Sequence, residues 1–167
     1  MEPLKTEKLD LRRFLKDEIS CVDFEFSRDV SGLDDDFENG TAFIKGSVVN
    51  HGGYFELSAN TEVKATALCA RCYKAFPFEF SFQTVQPVTD KLEDEDTEDY
   101  LFIKEGFLVL DDFFESCIIL EKPTKLLCRD DCAGLCSKCG ADLNNGDCGC
   151  VHKEIDPRLE KLKDFFK

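Results

Sequence analysis

The sequence predicts an α+β protein: an antiparallel β-sheet or partly closed barrel with flanking helices, followed by a cysteine-rich C-terminal module. Three observations predict it. Runs of alternating apolar and polar residues recur at short spacing and are separated by turn-forming residues, the pattern of half-buried antiparallel strands. Helical apolar spacing appears at only a few places. Of the chain's 10 cysteines, those from Cys128 onward crowd into one short, glycine-bearing segment.

The elements follow in order. Residues 1–17 predict a short helix with Leu11, Phe14 and Leu15 on one face. From Ile19 to Phe26 the chain alternates, with Val22, Phe24 and Phe26 against Asp23 and Glu25, which predicts a strand. An acidic loop is expected from Asp34 to Asn39. Asn39-Gly40-Thr41 is a glycosylation sequon by pattern, but Asn-Gly suits a two-residue hairpin turn and is read as one. Residues 41–50 and 53–67 predict two strands joined by Asn50-His51-Gly52-Gly53. Phe76, Phe78, Phe80 and Phe82 alternate with Pro77, Glu79 and Ser81, the clearest strand signal in the chain. Residues 90–99 are dominated by acids and read as a solvated loop. Tyr100–Ile103 and Phe107–Leu110 predict two short strands. Asp111 or Asp112 then caps a helix through Phe113, Phe114, Cys117, Ile118 and Leu120, ended by Pro123. Asp156 and Pro157 open a final helix whose stripe is Leu159, Leu162, Phe165 and Phe166. The expected organisation is a β-rich core domain over 1–127, a module over 128–150 and a helix over 151–167.

Composition bounds the function. At 167 residues and 43% apolar the chain can build a core without covalent staples, and 16 Phe with no Trp predict one packed on Phe. No apolar run is long enough to span a membrane, and the charged N-terminus does not read as a signal peptide. A soluble protein of the cytoplasm is expected, where thiols stay reduced. The formal charge is −14, which offers no general attraction to nucleic acid and favours basic partners. No phosphate-binding Gly-x4-Gly-Lys loop, Gly-x-Ser-x-Gly elbow or His-Glu-x2-His motif is present. With only 2 histidines, the chain is not expected to be an enzyme or to take a small-molecule substrate.

The cysteines carry the strongest signal. From Cys128 they run Cys-x3-Cys, x3, Cys-x2-Cys, x8, Cys-x-Cys. Cys136-Ser137-Lys138-Cys139-Gly140 reads as a zinc knuckle, since two thiolates two residues apart reach one ion from a tight turn. The glycine supplies the left-handed backbone such a turn needs. A segment this short cannot bury a core, and in a reducing compartment metal holds it better than disulfides. Cys69-Ala70-Arg71-Cys72 is a second pair. Such a pair also suits a redox couple, but it lies between strands without a βαβ context, which favours metal. Setting aside Cys21 and Cys117, expected as buried small hydrophobes, eight cysteines suit two tetrahedral Zn²⁺ sites. The preferred grouping is Cys136, Cys139, Cys148 and Cys150 around one ion, with Cys69, Cys72, Cys128 and Cys132 around a second. Exchange among the ligands, and a single ion in place of two, stay open. His51 reads as a turn residue and His152 as exposed.

These residues also resemble a known family. The segment ALCARCYKAF, the Leu120-Glu121-Lys122-Pro123 run before Leu127-Cys128, the CxGLCxxCGxxLNxGxCxC tail and Asp156-Pro157-Arg158-Leu159-Glu160-Lys161-Leu162 resemble the YceD family of large ribosomal RNA subunit accumulation proteins, in the form with a cysteine-rich tail. The resemblance implies a non-catalytic role in accumulation or maturation of large-subunit ribosomal RNA. Cys69, Arg71, Cys72 and the six tail cysteines match the motif positions. Partners implied are ribosomal RNA or a precursor large subunit, reached directly or through a protein. Lys64, Arg71, Lys74, Lys122, Lys125 and Arg129 are candidates for a local basic face. Two other readings compete: an acidic, chaperone-like module for a basic ribosomal protein, and a thiol redox or metal-storage protein.

Overall fold

The computed structural model describes residues 7–90 and 100–150. The predicted C-terminal helix, His152 and nearly all of the acidic 90–99 segment lie outside these residues. Strands β2 (Cys21–Asp29), β3 (Phe37–Asn50), β4 (Phe55–Leu68) and β5 (Ala75–Thr89) form a meander, and β6 (Leu101–Phe102) adds an edge. Strand alternation builds one buried face. On β4, Leu57, Ala59, Thr61, Val63, Ala65 and Ala67 point inward, while Asn60, Glu62 and Lys64 point out to solvent.

The sheet is mixed and open, not an antiparallel sheet throughout and not a barrel. Strand β6 runs parallel to β5 in the register Val88↔Leu101, and β2 forms the opposite edge. The predicted turn at Asn39-Gly40 is instead interior to β3. Gly40 is there because a Cβ would lie 2.6 Å from Ala65 Cβ across the strand pair. Phe37 already belongs to β3, so the acidic loop is shorter than expected. The Asn50–Gly53 turn forms as expected, with Gly53 N–H donating to Asn50 Oδ1 at 2.7 Å.

The predicted helix over 1–17 is replaced, in its described part, by strand β1 (Lys8–Asp10) and a series of turns. Strand β1 pairs antiparallel with β7 (Phe107–Val109), with Leu9 opposite Leu108. Only a single α-type bond follows, from Leu15 N–H to Leu11 O, and Asp17 turns left-handed at φ 56°. Leu11 and Phe14 are nonetheless fully buried, and Phe14 meets Phe55 edge-on at 5.0 Å. Spacing that buries one face was read correctly, but a turn satisfies it as well as a helix.

Helix α1 (Asp111–Glu121) covers the inner face of the sheet. Phe114 and Ile118 are fully buried, and Phe114 packs on Phe24 and Phe26 at 6.2 and 5.8 Å. Leu110, not an aspartate, occupies the N-cap, without a side-chain cap bond. Asp111 is buried and does other work: it accepts from Glu7 N–H at 2.8 Å and Arg28 Nη1 at 2.5 Å. Arg28 also pairs with Glu115, so one guanidinium ties β2 to the helix. At the far end Lys122 Nζ binds Asp34 at 2.5 Å and Asp36 as well. The core holds Leu and Ile alongside Phe, and the Phe76–Phe82 row is half-buried. Cys21, expected in the core, is exposed at the start of an edge strand, and Cys117 is half-buried.

Candidate metal centre

Two turns of the same design organise the cysteines. In the β4–β5 connection, Cys69 N–H donates to Lys74 O at 3.0 Å and Tyr73 N–H to Cys69 O at 2.8 Å. Further on, Cys136 N–H donates to Ala141 O and Gly140 N–H to Cys136 O, both at 2.8 Å. The residue after the second cysteine is left-handed in each, Tyr73 at φ 56° and Gly140 at φ 73°. Within the second turn, Lys138 and Cys139 N–H both point at Cys136 Sγ from 3.4 Å. In the first, Arg71 and Cys72, at the same offsets, bond the Cys69 sulfur. Both pairs are therefore knuckles whose backbone stabilises a thiolate.

The remaining four cysteines complete two clusters. Cys69, Cys72, Cys128 and Cys132 place their sulfurs within 4.8 Å of one another, and so do Cys136, Cys139, Cys148 and Cys150. This is the grouping that the spacing favoured. In the first cluster, Cys69 and Cys132 sulfurs are 3.8 Å apart, as are those of Cys72 and Cys128. A tetrahedral ion with Zn–S bonds of about 2.3 Å sets its sulfurs about 3.8 Å apart, whereas a disulfide requires about 2.05 Å. None of the ten cysteines is joined in a disulfide. The donor set and its spacing fit a tetrahedral, sulfur-ligated ion.

The electrostatics point the same way. Burial is the largest influence on Cys69 and acts upward, yet backbone N–H groups of Cys128, Arg71 and Cys72 bring its pKa down to about 6. Backbone N–H groups of Cys139 and Lys138 hold Cys136 down at about 6. Burial and the sulfurs of Cys69, Cys72 and Cys132 push Cys128 up to about 12. Cys139 and Cys148 push Cys150 up to about 12. Each cluster holds one sulfur that ionises readily and one that resists ionising beside it. A divalent cation removes that conflict by ligating all four as thiolates.

The clusters differ in setting. Cys69, Cys72 and Cys132 are buried, with Phe76 and Leu127 packed against them. Of the second cluster only Cys136 is buried, and Cys139 is exposed. Asn144 braces the first: its Nδ2 reaches Cys132 Sγ at 3.5 Å, and its Oδ1 accepts from Ala133 N–H at 2.8 Å. Asn144 was not singled out from sequence; the Asp142 cap on its N–H, at 2.9 Å, is the local signal that could have found it.

The six basic candidates are dispersed and mostly engaged. Arg71 Nη1 donates to Cys132 O at 2.8 Å and Asp130 O at 3.3 Å. Lys74 pairs with Asp142 at 2.5 Å, and Arg129 with Asp131 at 3.2 Å. Lys122 is held by Asp34 and Asp36 as above. Lys64 faces solvent from β4 opposite Glu79, and Lys125 is exposed ahead of Cys128.

An open β-sheet backed by one described α-helix and bearing two groups of four cysteines that could each hold a metal ion defines a cysteine-rich protein. Residues 57–166 match the family described as "Large ribosomal RNA subunit accumulation protein YceD", and the chain belongs to that family. All eight clustered cysteines lie within the match. A 47-residue stretch is 45% identical to an uncharacterized protein of Mycobacterium bovis and to two of Mycobacterium tuberculosis strains. That stretch covers 28% of this chain and 22% of the length of those relatives. No solved structure matches. Among the described residues, no helix is long and apolar enough to cross a membrane.

Proposed function

We propose that this protein is a non-catalytic, zinc-binding ribosome-biogenesis factor of the cytoplasm that supports accumulation or maturation of large-subunit ribosomal RNA. The observation that carries the metal part is the gathering of four sulfurs within 4.8 Å of one another in each of two clusters, with two sulfur pairs of the first 3.8 Å apart. Four thiolates close the coordination shell of a zinc ion and leave no position for a reacting water, so both ions are structural. The family description supports the ribosomal RNA part. Partners are ribosomal RNA or a precursor large subunit, engaged directly or through a protein contact.

Two measurements test the reading. Elemental analysis of the purified protein is expected to return two zinc per chain; one or none removes the two-ion assignment. Depletion of the protein, followed by gel analysis of ribosomal RNA, is expected to lower the large-subunit species selectively. Unchanged large-subunit RNA ends the biogenesis reading. A redox or storage protein would instead give up its metal to a weak chelator without loss of fold.

A further inference from the structure

The loop between Cys139 and Cys148 touches both clusters, the buried first one (inner) and the more open second one (outer). Its ends carry outer-cluster sulfurs, Cys139 before it and Cys148 after it, within 4.8 Å of each other and of Cys136 and Cys150. Its start is fastened to the outer knuckle, where Cys136 N–H donates to Ala141 O at 2.8 Å. Its middle, a 3₁₀ turn over Leu143–Asn145, lies against the inner cluster's chain. Leu143 N–H donates to Gly134 O at 2.9 Å. Asp142 binds the ammonium of Lys74 at 2.5 Å, just beyond Cys72.

Asn144 is the point of contact with the inner sulfurs. Its amide has an oxygen that accepts and a nitrogen that donates, and its neighbours suit one orientation alone. Ala133 N–H at 2.8 Å and Arg129 Nη2 at 2.7 Å are donors, so they take Oδ1. Nδ2 then faces Asp142 Oδ1 at 2.6 Å and Cys132 Sγ at 3.5 Å, both acceptors. An N–H donated to a ligating sulfur is an outer-shell bond, of the kind that orients a ligand and tunes its hold on the metal.

We propose that the outer cluster gates the inner one through this loop. An ion bound by the outer sulfurs joins Cys139 to Cys148 and closes the loop. The closed loop presents Asn144 to Cys132 and Asp142 to Lys74, so the two ions bind with positive, reciprocal coupling. Asn144 is a positioning residue that acts through the Cys132 sulfur. Cys139 is exposed, whereas Cys69, Cys72 and Cys132 are buried. The outer site therefore exchanges metal with solvent first, and its occupancy sets the grip of the buried site. The inference deepens the metal part of the proposed function and rests on it.

The test is a zinc titration of the full chain against a chromophoric chelator of known affinity, with zinc per chain counted on every sample. Cadmium NMR, with each cluster's resonance assigned from variants lacking the other, tells which site fills. In the double variant Cys136→Ser, Cys139→Ser the inner site is expected to bind about tenfold more weakly than in the native chain. Asn144→Ala keeps all eight clustered thiols and is expected to weaken the inner site by a similar factor. Joined to the double variant, it is expected to add less than about twofold, since both changes break one link. Asn144→Asp keeps the shape and the accepting oxygen but turns an acceptor toward the sulfur. It is expected to weaken the site at least as much as Asn144→Ala and to move the inner cadmium resonance. Asn145→Ala, one residue on, is expected to leave the inner affinity within about twofold. An inner site equally tight in the native chain and the double variant overturns the proposal. So does native affinity in Asn144→Asp, or an Asn144 effect that adds in full to that of the double variant. A native chain that binds no zinc ends the metal reading and the coupling with it, whereas two zinc per chain at independent sites ends the coupling alone.

Discussion

Tyr73, exposed and left-handed, carries a cost that stability measurements can read. A non-glycine residue in the left-handed region loses about 1–2 kcal/mol, and asparagine loses less because its short polar side chain bonds locally. Tyr73→Asn is therefore expected to raise the stability of the zinc-loaded protein by about 1 kcal/mol, or a melting temperature about 2–4 °C higher. A lower melting temperature would mean the ring contributes packing despite its exposure. The two knuckles also show what a sequence makes legible at this scale. The two groups of four thiols were legible from spacing because the cysteines stand in pairs at short intervals. Tyr73 was overlooked because its signal is comparative: only when CARCYK is laid beside CSKCGA does the tyrosine stand where glycine belongs. Likewise Arg71, a candidate for a local basic face, holds the carbonyls of Cys132 and Asp130. Backbone acceptors leave no trace in a sequence.

At the scale of elements, the junction between β2 and α1 depends on Arg28. Its half-buried guanidinium lies between Glu115 and the buried Asp111. Arg28→Met leaves the Asp111 carboxylate buried without its cation, and removing one partner of such a pair costs about 3 kcal/mol. The midpoint of urea unfolding is expected to fall accordingly, and a change below about 0.5 kcal/mol would place the pair among surface contacts. The link between knuckles gives a pH dependence. Lys74, followed by the N–H groups of Asn144, holds the Asp142 carboxyl at about 2, against 3.8 unperturbed. A depressed carboxyl contributes stability that is fully present above its unfolded value and lost as pH falls through its folded one. The stability difference between the native chain and Asp142→Asn is therefore expected to stay constant from neutral pH to about 4 and to shrink between about 4 and 2. A difference that shrinks already above pH 5 would contradict the assignment. Elements were legible where alternation was long, as in β4 and β5. They were misread where two causes share one pattern. Gly40 marks a close strand approach where a turn was read, and the Leu11–Phe14–Leu15 spacing fills a buried turn where a helix was read. Two residues of β6 are too few to reveal a parallel direction.

For the whole molecule, the two clusters differ in what they connect. The second draws all its ligands from one short segment, Cys136 to Cys150. The first joins the β4–β5 turn to the chain beyond α1, across sequence separations of 56 and 63 residues. A cross-link closing a loop of that length removes unfolded-state entropy worth about 4 kcal/mol at 25 °C. It also anchors the Cys128–Cys150 segment to the sheet, helped by Lys74–Asp142 and the Arg71 bonds. Loss of the two ions should thus have unequal consequences. Cys69→Ser with Cys72→Ser is expected to leave one zinc per chain, lower global stability by about 4 kcal/mol, and free the Cys128–Cys150 segment for proteolysis. Cys136→Ser with Cys139→Ser is expected also to leave one zinc per chain, but to disturb the unfolding of the sheet far less. Zinc counts, urea unfolding and limited proteolysis on the two double variants give the comparison directly. Equal destabilisation by both would show that the outer cluster, despite its local ligands, shares the load of the inner one. The fold would then unfold as one cooperative unit across the knuckles, and the sheet would not stand apart from its metal-bound tail.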